Sequence, residues 1–266
     1  MTEMDNDLMA GWRRRIGVIS PTVLETIPRD FYALAPQGVD MVGITCMMGG
    51  WSDDQYTRAL AQVGAAAGYL GKRGVDFIIH VGTPLVVSQE PDFGQQLVET
   101  IASAGSAPAT TTIESAIAAF ADLQLSSIAL VSPFTPTLNE QLAAYIERRG
   151  VRIATIQPVE TPSFEALNDI TPQSIYQAVH LASRGAPQAE GYFLPCGQMR
   201  GVAVAPTVEA ELGKPVLAQN AVDFWAAFNH LGLNDIRPGA GMLFERLRAR
   251  LPRRTSLPRT DGDAPC

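Results

Sequence analysis

Cysteine and histidine are scarce in this 266-residue sequence, with three of each. Cys46, Cys196 and Cys266 are odd in number, far apart and free of any CxxC pair, which excludes a disulfide scaffold and a zinc site. His80, His180 and His230 are equally isolated, so no metal is expected. Positive charge is in deficit: 20 basic against 27 acidic residues give a formal charge of -7. Nucleic acid and anionic membrane both need a concentrated basic surface, so neither is an expected partner. No apolar run approaches the roughly 18 residues of a membrane span, and the opening MTEMDNDLMAGWRRR has no apolar stretch of signal-peptide length. A cytoplasmic location is expected. There is no Walker loop, no GxGxxG after a strand, no HExxH and no GxSxG, which removes the commonest nucleotide, zinc and serine-hydrolase chemistries. A small ligand and no cofactor are expected.

What is present is a globular composition, 46% hydrophobic and 18% charged, long enough for one elaborate α/β unit or two lobes. Apolar runs bounded by turn residues alternate with segments of helical period, the pattern of a mainly parallel sheet with crossover helices. Strands are expected at Ile16 to Ser20, Val39 to Thr45, Val75 to Val81, Ser127 to Ser132, Val151 to Ile156, Glu190 to Pro195 and Lys214 to Gln219. Leu60, Val63, Ala67 and Leu70 share one helical face, as do Leu138, Leu142, Tyr145 and Ile146. Thr171 and Pro172 read as the cap and first-turn proline of a helix carrying Ile175 and Val179.

The two halves echo each other. Each opens with an apolar strand ending in Ser-Pro, at Ser20-Pro21 and Ser132-Pro133, and each later has a strand running into a small-residue corner, Gly82-Thr83 and Cys196-Gly197. The expected fold is α/β, with two similar lobes, each a mainly parallel sheet flanked by helices, and the active site in the cleft between them. Ligands of open parallel sheets bind beyond the carboxyl ends of the strands, where all four corners fall. The first lobe is expected over 14–112 plus 215–248 and the second over 113–214, breaking near Ile113, with 1–13 and 249–266 as loose termini.

Several residues could carry chemistry. Cys196, in FLPCGQM, sits at a strand end beside a glycine that lets backbone approach a ligand, and is either a reactive or a buried structural thiol. Cys46 has no paired small-residue corner; Met47, Met48 and Trp51 beside it read as pocket wall or core. His80, inside an apolar strand, reads as a hydrogen-bonded core histidine. The corner Gly82-Thr83-Pro84 offers a hydroxyl and an anion-binding backbone, or is an ordinary turn, with Pro84 removing one N–H. Thr110, Thr111 and Thr112 read as an exposed helix cap or a site. Ser132, Phe134 and Thr135 either face the cleft or turn the chain, and Asn139-Glu140 opens the next helix.

In order along the chain, IGVISP, Gly82-Thr83, PATTT, SIALVSPFTPTLNEQLAAYI, LPCG, GKPVLAQNAVDFW and RPGAGMLF carry a family resemblance from about Arg15 to about Leu247. The chain resembles the aspartate/glutamate racemase superfamily, and within it the arylmalonate decarboxylase family most, with maleate cis-trans isomerase a more distant relative. The resemblance implies a substrate carboxylate held between two lobes. Racemases of this kind use one cysteine per lobe; here the first position is Gly82 and only Cys196 remains, the decarboxylase pattern. It further implies an enediolate held by hydroxyls and backbone N–H groups, an arrangement in which one donor is worth about 2.7 to 4 kcal/mol. Thr83, Cys196 and Gly197 match that set, whereas Pro84 replaces a serine, Phe134 a tyrosine and Gln198 a glycine. Pro21, Ser132 and Thr135 complete the expected substrate-binding set, with Ser132, Thr135 and Gln198 as substitute donors. The implied function is a cofactor-independent decarboxylase of a small malonate-like carboxylate, with Cys196 protonating the enediolate. The alternatives are a maleate-isomerase-like or racemase-like isomerase and a non-catalytic carboxylate-binding protein. A homo-oligomer is compatible with any of these.

Overall fold

The computed structural model describes residues 10–250. Its first sheet contains β1 (Arg14–Ser20), β2 (Val39–Thr45), β3 (Phe77–His80) and β4 (Ala109–Thr111) in the order β2-β1-β3-β4. The second contains β5 (Ser127–Ser132), β6 (Arg152–Pro158), β7 (Gly191–Leu194) and β8 (Val216–Ala218) in the order β6-β5-β7-β8. All neighbouring pairs are parallel. Replacing each strand of the first sheet by its successor in the second reproduces the same order, so the internal echo of the sequence is a repeated topology. The central strands β3, β5 and β7 are buried along their whole length, which explains their near-continuous apolar runs, while the edge strands β2 and β6 are half-exposed.

The first lobe carries α1 (Thr26–Leu34), α2 (Asp53–Lys72), the short α3 (Thr83–Val87), α4 (Phe93–Gly105) and α5 (Thr112–Asp122). The second carries α6 (Pro136–Glu147), a 3-10 turn (Glu165–Asp169), α7 (Pro172–Gly185), α8 (Gly201–Leu212) and α9 (Gln219–His230), followed by α10 (Met242–Arg250). The α7 start agrees with its sequence signal: Thr171 Oγ1 accepts from the Ser174 N–H at 3.1 Å, with Pro172 in the first turn. In α6, Leu138, Leu142, Tyr145 and Ile146 are all buried. On α2, Val63, Ala67 and Leu70 are buried and Leu60 lies at the margin of the face.

Three placements differ from the sequence reading. The Thr110–Thr112 run is buried, not an exposed cap: Ala109–Thr111 pairs with β3, and Thr111 caps α5 by accepting from the Glu114 N–H. Three residues without apolar alternation leave no strand signal. The stretch 215–218 pairs as β8 with β7 in the second sheet, so the return toward the first lobe begins only with α9. There Phe224 meets Phe31 of α1 edge-on, with ring centroids 5.0 Å apart. At the other end, residues 249–250 are the last of α10 and not a loose terminus, while Cys266 lies outside the described residues. No helix among the described residues is long and apolar enough to cross a membrane.

Candidate active site

The carboxyl ends of the strands open onto a cavity of about 450 Å³, part of it continuous with solvent. The first lobe lines it with Ser20, Pro21 and Thr22 at the end of β1, Ile27 of α1, Met48 and Trp51 after β2, Val81 and Gly82 after β3, and Pro84 and Leu85 of α3. From the second come Phe134 after β5, Phe164 and Leu167 after β6, Cys196, Gly197 and Gln198 after β7, and Gln219 at the start of α9. Cys196 is the one titratable side chain among these lining residues, and the wall holds no carboxylate, ammonium, guanidinium or imidazole. Trp51 stands edge-on between Phe134 and Phe164, at centroid distances of 6.0 and 5.3 Å, and so joins the two lobes over the cavity.

Cys196 follows β7 by two residues, where Pro195 ends the ladder and turns the thiol into the cleft. The thiol is buried, and burial pushes its pKa up to about 11 against the opposing backbone N–H groups of Gln198 and Met199. Near neutral pH it is therefore a neutral S–H whose sulfur accepts from those two N–H groups. The corner is fastened from α1 and α3 of the first lobe and from α9. Thr26 Oγ1 donates to the Gly197 carbonyl at 2.6 Å, and Asn220 Nδ2 donates to the same oxygen at 2.9 Å and to Asp30 Oδ2 at 2.8 Å. Thr83 Oγ1 donates to the Pro195 carbonyl at 3.1 Å. A Cβ at Gly197 would lie 2.7 Å from both Asn220 Oδ1 and Gln219 Nε2, so these two amides would have to shift to admit a side chain.

Gly82 is the counterpart of Cys196, two residues past β3 as Cys196 is two past β7. Its φ of +123° lies in the region that disfavours side chains, and a Cβ would approach Pro21 Cγ to 2.9 Å. Of the residues expected in the site, Pro21, Gly82, Pro84, Phe134, Cys196, Gly197 and Gln198 line the cavity. Three do not. Thr83 is fully buried and engaged with Pro195, and Ser132 Oγ accepts from the Phe134 N–H within the turn. Thr135 is exposed, where its Oγ1 accepts from the Leu138 N–H as the cap of α6. Serine and threonine before a helix serve that helix first, which is why Ser132 and Thr135 are not cavity donors.

Met48 and Trp51 are pocket wall, but Met47 is 80% exposed. Cys46 is buried and its thiol is pushed up by that burial, without reaching the cavity. His80 is buried as expected, yet its ring nitrogens have no hydrogen-bond partner among the described residues; desolvation lowers its pKa to about 4, so it is neutral. Ser20 belongs to the Ser20-Pro21 corner expected there, whereas Thr22, Ile27, Val81, Leu85, Phe164, Leu167 and Gln219 line the cavity without having been expected in the site. Thr22 was findable, since it follows β1 by two residues as Phe134 follows β5. Phe164 and Leu167 sit at and within the short 3-10 turn after β6, which carries no positional signal. No group of three or more His, Cys, Asp or Glu that could hold a metal ion occurs among the described residues.

The family model for arylmalonate decarboxylase matches residues 16–244. Arylmalonate decarboxylase of Bordetella bronchiseptica is 25% identical over 231 residues, covering 86% of this chain and 96% of that protein. A maleate isomerase of Pseudomonas putida is 28% identical over 138 residues, 52% of this chain and 54% of that protein. Among solved structures, arylmalonate decarboxylase superposes with a TM-score of 0.77 at 25% identity, over 87% of this chain and 99% of that one. A cysteine-to-alanine variant of a Pseudomonas putida maleate isomerase, solved with maleate, superposes with a TM-score of 0.81 at 20% identity, over 89% and 98%.

Proposed function

Because the chain belongs to the arylmalonate decarboxylase family, we propose that it is a cofactor-independent lyase removing carbon dioxide from a small malonate-like acid, with Cys196 as proton donor. The bond between the α-carbon and one carboxylate breaks, and its electron pair stays on the α-carbon and spreads into the remaining carboxylate as an enediolate. Carbon dioxide leaves. The Cys196 S–H then gives its proton to the α-carbon, and the thiolate, held by the Gln198 and Met199 N–H groups, is reprotonated from water. The apolar wall favours the first step, since a dianion is poorly solvated there and loses charge density as the bond breaks. Gly197 supplies its N–H toward the enediolate, while Thr83 positions the cysteine corner through Pro195.

The observation that carries this reading is the neutral thiol itself, with a pKa near 11 and glycine at the equivalent place in the other lobe. An isomerase that adds a thiolate to a double bond needs a depressed thiol pKa, and two-base racemisation needs a second cysteine. The test is a mass-spectrometric screen of malonates, maleate and amino acids in deuterated water. Carbon dioxide loss with one deuterium retained in the product is the expected result. Conversion of maleate to fumarate without carbon dioxide loss would replace this reading by the isomerase, and tight binding without turnover would replace it by a carboxylate-binding protein.

A further inference from the structure

The cavity wall has no cation, so an acid bound there depends on neutral donors. Thr22 and Gln198 come from different lobes and both line it. Gln198 Nε2 donates to Thr22 Oγ1 at 2.9 Å. That bond uses one of the two amide hydrogens and one lone pair of the hydroxyl. The second amide N–H and the threonine O–H remain, and neither has an acceptor among the described residues. Two hydrogens on adjacent heavy atoms, one from nitrogen and one from oxygen, match the two oxygens of a single carboxylate. The amide bond into the threonine oxygen also polarises its O–H, making it a better donor. Ser20, two residues before Thr22, lines the same cavity and is buried with an Oγ that has no partner among the described residues.

We propose that Thr22 and Gln198 form a two-pronged seat for one carboxylate of the ligand, spanning the gap between the lobes. This rests on the acid-processing reading of the cavity given above. The seat makes a specific demand: the ligand keeps one carboxylate throughout, and its remaining substituent meets an apolar wall that includes Trp51, Phe134 and Phe164. An arylacetic acid, the class of product that arylmalonate decarboxylation releases, meets that demand without reacting.

The experiment is calorimetric titration of the full chain with phenylacetate, and with benzyl alcohol as a ring without the anion. Thr22→Val and Gln198→Met, both close in shape to the native side chains, are each expected to weaken phenylacetate at least about tenfold while benzyl alcohol changes by less than about twofold. Unchanged phenylacetate affinity in both variants overturns the seat. So does equal loss for both ligands, which would mark a general packing defect, and so does a wild-type protein that does not bind phenylacetate. Turnover of malonates is measured on the same wild-type preparation. Absent turnover with the expected anion-specific loss would end the decarboxylase reading and leave the seat standing.

Discussion

Asp30 lies beneath the cysteine corner and gives it a pH dependence of known sign. Burial raises its pKa from 3.8 to about 6, opposed by the Asn220 hydrogen bond and by Arg29 and Arg200. An acid whose pKa is raised on folding holds its proton more tightly in the folded state. Its contribution therefore favours folding most below the unfolded value near 4 and is lost as pH rises through about 6. Asp30→Asn keeps an oxygen for Asn220 and removes the titration. Denaturant midpoints should show the variant more stable by on the order of 2 kcal/mol at pH 8 and no different at pH 4. At Gly82 the expected outcome is mixed. Gly82→Cys places a second thiol at the position equivalent to Cys196, so α-hydrogen exchange of a bound acid in deuterated water should appear where wild type shows little. The positive φ and the Pro21 contact should lower stability by about 1 to 3 kcal/mol. A variant with wild-type stability and no exchange would show that the two corners are not equivalent in space.

Among elements, α2 and α4 pack so closely that Gly71 meets the Gly105 carbonyl, and a Cβ at Gly71 would overlap that oxygen. Gly71→Ala, a change that improves helix propensity, should nonetheless destabilise the protein by about 1 to 3 kcal/mol in chemical denaturation. A stabilised variant would mean that the helices can separate at little cost. The elements also show what the sequence could reveal. Strands β2 and β5 match the apolar runs residue for residue, because both lie in a sheet buried on at least part of each face and are bounded by turn residues. β4 leaves no signal because Ala109-Thr110-Thr111 is too short to have a period, and the apolar run of β8 marks a strand while its pairing with β7 puts it in the second sheet, not the first. Sheet membership depends on which edge a strand reaches, and no local pattern encodes that. For the site, Pro21, Gly82, Phe134, Cys196 and Gln198 were legible because strand ends in a parallel sheet are where ligands bind. Thr83, Ser132 and Thr135 do not line the cavity, because a hydroxyl at a corner can equally serve a carbonyl, a turn or a helix cap.

In the whole molecule the two lobes are tied by helices that cross between them. α9 begins on the second sheet yet places Phe224 and Phe228 against Phe31 of the first lobe, and Thr112 Oγ1 at the start of α5 donates to the buried Asp223 of α9 at 2.9 Å. Burial raises the Asp223 pKa well above its ordinary value, against the lowering effect of the Thr112 and Gln219 hydrogen bonds. Such ties make the cleft a property of the folded pair. Phe31→Ala, at a fully buried ring, should cost about 3 to 5 kcal/mol and shift one cooperative calorimetric transition downward without splitting it. Two separated transitions would show that the lobes are independent units and that the cavity between them is adjustable.

The central claim is that one neutral thiol, set in an apolar cleft between repeated lobes, delivers the proton that completes a decarboxylation. The most direct measurement is carbon dioxide release from a malonate panel by wild type and Cys196→Ala, followed in parallel with deuterium incorporation into the product. Wild type should release carbon dioxide and fix one deuterium per turnover, and Cys196→Ala should be slower by at least about 10² to 10⁴-fold with its fold intact. Carbon dioxide release by Cys196→Ala at the wild-type rate, with deuterium still fixed, would contradict it.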